Sequence, residues 1–238
     1  MERYLIICCA LLFLGVGVNH MNNPPEYGIT RIDEDFSLPG DPLFWQALPV
    51  LTIDRYLWVD NGYSPPVEAR LCYSPQNLYV FFKVFEPKIR IQFTKFQDPV
   101  YKDSCAEFFI NPFPEKKVGY VNIETNAIGA VLIAIGPDRR SRARISRGDL
   151  KGFEIVTSVK KPLEGVHDAE YWTLIYKLPL ALFEKYYGAK IKPGCVARGN
   201  FYKCGDETDF PHYGAWSPVF VAAPDFHRPE FFGTLRFL

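Results

Sequence analysis

Residues 103–138 read DSCAEFFINPFPEKKVGYVNIETNAIGAVLIAIGPD. Their alternation of short β-rich runs with proline and glycine turns continues through the rest of the chain. Three short runs rich in β-branched and aromatic residues lie within them: Ala106–Ile110, Gly119–Asn126 and Gly129–Ile135. Proline and glycine turns, at 111–114 and 136–138, separate or end these runs. Short β-rich runs bounded by such turns predict consecutive strands of an all-β domain.

The same pattern extends in both directions along the chain. Six further strands are predicted: Val67–Tyr73, Leu78–Phe85, Phe153–Val159, Trp172–Leu178, Val196–Lys203 and Thr234–Leu238. One short helix is predicted at Leu180–Tyr187, because Pro179 can start a helix and Gly188 can end it. Nine strands without an internal repeat predict a β-sandwich, which we place in a single domain over residues 23–238.

Composition excludes several classes of protein. The 238 residues carry 27 basic and 27 acidic side chains, so no basic excess is available for binding phosphates. We therefore expect no nucleic-acid partner. The chain is 48% hydrophobic, which excludes disorder, and 16% aromatic, which leaves open whether some rings face a ligand.

The first 22 residues predict a signal peptide or an N-terminal anchor. Leu5–Val18 is an unbroken apolar run of 14 residues, shorter than the roughly 20 that a membrane-spanning helix needs. Gly15–Gly17 offers a small-residue cleavage site ahead of polar residues. A buried N-terminal strand is the alternative. We expect a secreted or periplasmic protein with no stable membrane insertion beyond the leader.

Four cysteines lie outside the leader: Cys72, Cys105, Cys195 and Cys204. Their spacing matches no zinc-ligand pattern. We interpret them as small core residues, with one disulfide as the alternative if the protein is exported.

Catalytic motifs are scarce: the sequence has no GxSxG, HExxH, P-loop or GxGxxG. The best acid/base pair is Glu107 with Glu124 on neighbouring predicted strands. Their neighbours Phe108 and Ile123 are apolar, so both glutamates are predicted on the side of the sheet away from the core. The basic run at 139–144 is interpreted as a solvated loop, with a patch for anionic polysaccharide as the alternative.

Aromatic and polar residues beside strand ends suggest a sugar site, because sugars pack their C–H faces on rings while carboxylates and amides bond their hydroxyls. The candidate rings are Tyr101, Tyr213, Trp216 and Phe226, and the candidate polar groups are Glu107, Asn126 and Asn200. For Trp216 the alternative is a structural ring that closes the sandwich edge.

Several of these segments resemble family 9 carbohydrate-binding modules. Residues 103–112 are similar to that family's DSxEhFh strand, and residues 120–129 to the next strand with its Asn-x-x-Gly turn. Four further segments resemble family elements: 71–80, 199–204, 215–218 and 226–237. The resemblance runs from about Gln46 to the end of the chain.

This resemblance implies an antiparallel β-sandwich of jelly-roll type that binds sugar without cleaving it. It assigns sugar contacts to Glu107, Asn126 and Asn200, and places the family's paired tryptophans at Val100, beside Tyr101, and at Phe226. Glu124 stands where a sugar-binding member has a basic residue. The resemblance also implies calcium, although no DxDxDG-like loop is present.

Three other functions remain open at this point. Glu107 and Glu124 could serve a glycan-processing enzyme, or every ring could belong to the core of a structural or protein-interaction sandwich. A haem domain of related fold commonly uses methionine as an axial ligand. The only methionines, Met1 and Met21, lie in the leader, which speaks against that version. The oligomeric state is not predicted.

Overall fold

The computed structural model describes residues 23–160 and 170–238, so the predicted leader lies outside the described residues. Within them the chain forms fourteen strands and two α-helices. The strands are β1 (Glu26–Arg31), β2 (Leu51–Ile53), β3 (Arg55–Tyr56), β4 (Val67–Tyr73), β5 (Asn77–Val84), β6 (Cys105–Asn111), β7 (Tyr120–Asn126), β8 (Val131–Gly136), β9 (Ala143–Arg144), β10 (Glu154–Thr157), β11 (Trp172–Pro179), β12 (Val196–Cys204), β13 (Tyr213–Ala215) and β14 (Gly233–Phe237). The helices are α1 (Pro42–Ala47) and α2 (Leu180–Tyr187).

All nine predicted strands are present, and α2 has the predicted bounds. Gly188 ends α2 in the left-handed conformation, at φ +61°. The prediction of a single helix is wrong, because α1 precedes the first predicted strand. It is only six residues long, and Asp41 caps it by accepting a hydrogen bond from the Leu43 N–H at 2.8 Å.

The strands form one curled, mixed sheet, in which eleven strands follow the order β10-β11-β5-β4-β1-β14-β12-β6-β7-β8-β9. The other three pair outside this order: β2 with β4, and β13 with both β12 and β3. β1 joins its two halves: Glu26–Ile29 pairs with β14 and Thr30–Arg31 pairs with β4, and both pairings are parallel. The expectation of purely antiparallel pairing is therefore wrong at β1. No hairpin turn connects β1 to β14 or to β4, its two neighbours in the sheet, so no turn forces β1 to run antiparallel to them. The jelly-roll topology stays a prediction.

The two halves of the sheet enclose the main core. Phe82 of β5 meets Phe201 of β12 with ring centroids 6.1 Å apart, and Phe201 stacks on Phe108 of β6 at 4.5 Å. Because side chains alternate across a strand, Phe109 and Glu107 point to the opposite face. A second, smaller apolar cluster lies on that face, and it includes Phe109, Tyr202 and Phe226.

Three of the four described cysteines, Cys72, Cys105 and Cys204, are buried, and Cys195 is partly buried. All four are free thiols. Their interpretation as small buried residues therefore holds for three positions. None of the helices in the described ranges combines the length and apolarity that crossing a membrane requires.

A buried charged cluster links the two halves at one end of the main core. The Lys203 ammonium, fully buried, donates to the Glu86 carboxylate at 3.1 Å and to His212 Nε2 at 2.7 Å. The Trp172 indole N–H donates to the same carboxylate at 3.2 Å. Burial and the neighbouring Lys203 charge lower the pKa of His212 from 6.5 to about 3, so its ring is neutral in the folded protein.

We predict that the His212→Gln variant loses stability more slowly on acidification than the wild type. Below pH 6.5 the unfolded wild-type chain protonates His212 and the folded chain does not until about pH 3, so acid favours unfolding over that window. Between about pH 3 and pH 6.5, the slopes of unfolding free energy against pH should differ between the wild type and the variant by up to about 1.4 kcal/mol per pH unit. Urea titrations at a series of pH values measure this, and parallel curves would contradict it. His227 is retained in both proteins and cancels in the comparison.

Candidate functional site

A cavity of about 490 Å³ lies on the face of β6 and β7 that points away from the main core. Three aromatic rings line it: Tyr101, Tyr213 and Phe226. The ionisable groups that line it are Glu107, Glu124, Asp206, Asp225, Arg139, Arg142 and His227. Five of the eight candidate residues from the sequence thus converge here: Tyr101, Glu107, Glu124, Tyr213 and Phe226.

Glu107 and Glu124 lie directly opposite each other across the β6–β7 pairing, and both are only 2% exposed. The Cys204 thiol donates to Glu107 Oε1 at 3.0 Å, and Arg142 Nη1 donates to Glu124 Oε1 at 3.1 Å. Their position on the face away from the core is as predicted.

Burial dominates the protonation of both carboxyl groups. It raises the pKa of Glu107 well above its ordinary value, and the adjacent Glu124 charge adds to the effect. Burial also raises the pKa of Glu124, to about 6, while the Arg142 guanidinium opposes the rise. Burial therefore disfavours the charged form of both carboxyl groups, and the Arg142 guanidinium opposes this effect at Glu124.

Phe226 lines the cavity but also packs against other aromatic rings. Phe226 stacks on Tyr202 with centroids 4.1 Å apart and an angle of 11°, and Trp58 lies 5.8 Å from its centroid. Phe226 is therefore only 8% exposed. Val100, at the position of the first family tryptophan, is fully buried, while Tyr101 beside it reaches the cavity.

The two candidate asparagines lie outside the cavity and hold the backbone. Asn126 donates to the Phe93 carbonyl at 2.7 Å and accepts from the Ala130 N–H at 3.0 Å, which fixes the turn after β7. Asn200 donates to the Ser217 carbonyl at 2.8 Å and accepts from the Ser217 N–H at 2.9 Å. Amides engaged in this way are structural, and a sugar-binding role for them stays a prediction.

Trp216 also lies away from the cavity. Its ring packs edge-on against Phe201 at 5.8 Å and covers Gly233 so closely that a Cβ there would lie 2.3 Å from the ring. It lines a separate groove with Leu57 and Phe220. This placement matches the structural alternative that the sequence left open.

The cations of the cavity come from the basic run that the sequence suggested was a solvated loop. Arg139 is exposed, but Arg142 turns inward, where it contacts both Glu124 and His227 Nε2, the latter at 3.0 Å. Burial and Arg142 lower the pKa of His227 to about 3. Arg142 thus supplies a positive charge beside Glu124, the position at which the resemblance implies a basic residue.

Sequence reasoning missed Arg142, His227, Asp206 and Asp225 as members of the site. The only available signal was the order of elements, since the basic run directly follows β8, the neighbour of β7. The other residues come from loops whose return to this face no local pattern encodes.

Among the described His, Cys, Asp and Glu residues, one group of three side chains lies close enough together to hold a metal ion. Cys105, Glu107 and Cys204 place one donor atom each within 4.8 Å of the others. Two sulfurs and a carboxylate do not fit Ca²⁺, which takes six to eight oxygen ligands. The calcium that the resemblance implies stays a prediction without an assigned site.

The fold and the cavity define a sandwich-like, mainly β domain with a polar, ring-bordered cavity on one sheet face. The chain belongs to carbohydrate-binding family 9, whose model matches residues 41–237. A search of curated protein sequences gives no match.

The solved structures that are similar to this chain include the following three. One is a protein from Bacteroides uniformis ATCC 8492 assigned as carbohydrate-binding, with 28% identity and a TM-score of 0.80, covering 91% of this chain and 100% of its own. The other two are a family 9 module from Caldicellulosiruptor kristjanssonii. Its glucose complex has 12% identity and a TM-score of 0.61, covering 90% of this chain and 96% of its own. Its cellotriose complex has 11% identity and a TM-score of 0.59, covering 90% and 93%. At these identities the module shares the fold.

We predict that Asn200→Ala destabilises the protein by about 2–4 kcal/mol, because Phe201 and Ser217 lose the acceptor for buried N–H groups. Urea unfolding measures the change. Glu107→Gln is the matched control: an amide resembles a neutral carboxyl group, so its unfolding free energy should stay near that of the wild type. Equal losses in the two variants would contradict the structural role of Asn200.

Proposed function

We propose that this protein binds carbohydrate in the cavity at Glu107 and Glu124, without cleaving it. The observation that carries the proposal is the convergence of Tyr101, Phe226 and the two glutamates in one cavity of a family 9 domain. The sugar complexes of the Caldicellulosiruptor module support a ligand site on this fold.

The chemistry of the cavity suits a small polar ligand that also has apolar faces. Its volume of about 490 Å³ lies within the roughly 300–1,000 Å³ typical of small-molecule sites. The Tyr101 ring can pack against sugar C–H groups, while carboxyl and guanidinium groups bond hydroxyls. Glu107, when protonated, donates a hydrogen bond, whereas Glu124 beside Arg142 accepts one.

The arrangement of the two glutamates favours binding over hydrolysis. A glycosidase places its carboxyl groups on either side of the scissile bond. Here both project from the same face of one sheet and lie directly opposite in register, so they form one wall of the cavity. The enzyme hypothesis predicts turnover of glycosides that Glu107→Gln abolishes, and such turnover would overturn the binding proposal.

We predict that Tyr101→Ala weakens sugar binding by about 2- to 13-fold, since an aromatic contact contributes about 0.5–1.5 kcal/mol beyond area burial. A glycan array first identifies the ligand, and isothermal titration calorimetry then measures its dissociation constant. Trp216→Phe is the matched control: its ring lies outside the cavity, so affinity should not change. A loss in the control with none in Tyr101→Ala would move the site to the other groove.

Phe226→Leu tests the stacked ring. Because Phe226 is packed on Tyr202, we predict a loss of thermal stability together with a loss of affinity of no more than about tenfold. Differential scanning calorimetry and ligand titration measure the two effects. Complete retention of stability with loss of all binding would contradict the packing role. Absence of binding to any sugar at millimolar concentration would support the protein-interaction alternative instead.

The apolar leader supports a secreted or periplasmic location, where the ligand would be an extracellular glycan. N-terminal sequencing of the exported protein tests this proposal, and a start after residue 17 is expected from the small-residue site.

A further inference from the structure

Two thiols and a carboxyl group converge at the cavity: Cys204 and Glu107 line it, and Cys105 lies fully buried beside them. Cys105 and Cys204 lie directly opposite each other across the β6–β12 pairing. Glu107 follows Cys105 by two positions on β6, so it shares the same face of the sheet. The backbone register therefore brings together three potential metal ligands from two adjacent strands.

Their spacing matches the edges of a tetrahedral metal site. The Sγ atoms of Cys204 and Cys105 lie 3.0 and 3.9 Å from the same oxygen, Glu107 Oε1. Zinc bonds of about 2.3 Å to sulfur and 2.0–2.2 Å to oxygen place adjacent tetrahedral ligands about 3.5 Å apart. A small movement of these side chains would equalise the distances around a central ion.

A second observation points to a cation at this position. Glu124, 2% exposed and directly opposite Glu107, has a buried Oε2 that no donor in the described residues reaches. Buried carboxylate oxygens are normally hydrogen-bonded, so an unpartnered one beside a ligand set requires an explanation.

We propose that Cys105, Cys204 and Glu107 bind a thiophilic divalent cation of the Zn²⁺ class, with the fourth coordination position facing the cavity. Two metal–sulfur bonds and one metal–oxygen bond form. The two thiol S–H bonds and the O–H bond of the Glu107 carboxyl group break, the three protons and the water molecules displaced from the hydrated ion pass to solvent, and no atom changes oxidation state. Sulfur ligands select Zn²⁺ over Mg²⁺ or Ca²⁺, which prefer oxygen. Water, or the hydroxyl of a bound ligand, would complete the tetrahedron.

Cobalt(II) is the probe that tests this proposal, because thiolate coordination gives it charge-transfer bands as well as visible bands diagnostic of a tetrahedral site. Full-length reduced protein, with its thiols verified by a colorimetric assay, is titrated with Co²⁺ alone. We expect one equivalent to bind with thiolate-to-cobalt bands and Zn²⁺ to displace it. Absence of these bands in reduced, folded protein would overturn the proposal.

Variants assign the ligands. Cys204→Ala and Cys204→Ser should each lose the charge-transfer bands, and Glu107→Gln should weaken Co²⁺ binding at least tenfold. Cys72→Ala is the matched control, since its buried thiol lies in a different cluster and the bands should persist. Circular dichroism establishes that each variant is folded. Bands that survive in both folded Cys204 variants would overturn the assignment.

The metal site stands independently of the proposed sugar binding. Sugar titrations of chelator-treated and Zn²⁺-loaded protein separate the two. Sugar binding without metal binding would overturn the metal site alone, and metal binding without sugar binding would overturn the proposed function alone.

Discussion

Strands β6, β7 and β12 are buried on both faces, and the rest of the architecture depends on this constraint. One face supplies Phe108, Ile123 and Phe201 to the main core. The other supplies Phe109 and Tyr202 to the smaller cluster. Strict alternation along a strand then places Glu107 and Glu124 in an enclosed environment, where their protonation and partners are set by the sheet itself.

Burying acidic groups costs free energy unless neighbours satisfy them, and the surrounding loops provide that satisfaction. Arg142 reaches Glu124 from the segment before β9, and the Cys204 thiol reaches Glu107 from β12. Asp103, just before β6, is another buried acidic residue whose hydrogen bonds come from a neighbouring loop. Its carboxylate accepts from Arg90 at 2.6 Å and from the Phe93 N–H at 2.9 Å. The segments that carry Arg142 and residues 90–93 are therefore held in place by buried acidic residues in or next to the strands.

The sequence predicted the fold where information is local. Turn residues and β-rich runs located nine strands, and the Pro179–Gly188 frame located α2. The parallel pairing of β1 could not be found in this way, because it joins the start of the chain to β14 and β4 with no turn between them. Short strands such as β3 and β9, two residues each, carry too few residues to show a period.

The sequence predicted which sheet face a site residue occupies, because side chains alternate along a strand. It did not predict which groups a polar side chain hydrogen-bonds. The shared face of Glu107 and Glu124 followed from Phe108 and Ile123 beside them. An asparagine that bonds the backbone and one that bonds a ligand have the same sequence signature. Asn126 and Asn200 therefore could not be sorted before their partners were known.

The packing of the rings changes how recognition should work in this cavity. Val100 is buried, and one face of the Phe226 ring is stacked on Tyr202. The pair of stacking rings that the resemblance implies therefore has no counterpart at these two positions. In the proposed sugar site, Tyr101 is then the main ring available for stacking, and ionisable groups outnumber rings around the cavity. Hydrogen bonds in an enclosed site discriminate strongly, because an unmatched ligand leaves buried polar groups without partners. In the proposed sugar site, selectivity would therefore depend on the positions of the ligand's hydroxyl groups rather than on a flat sugar face.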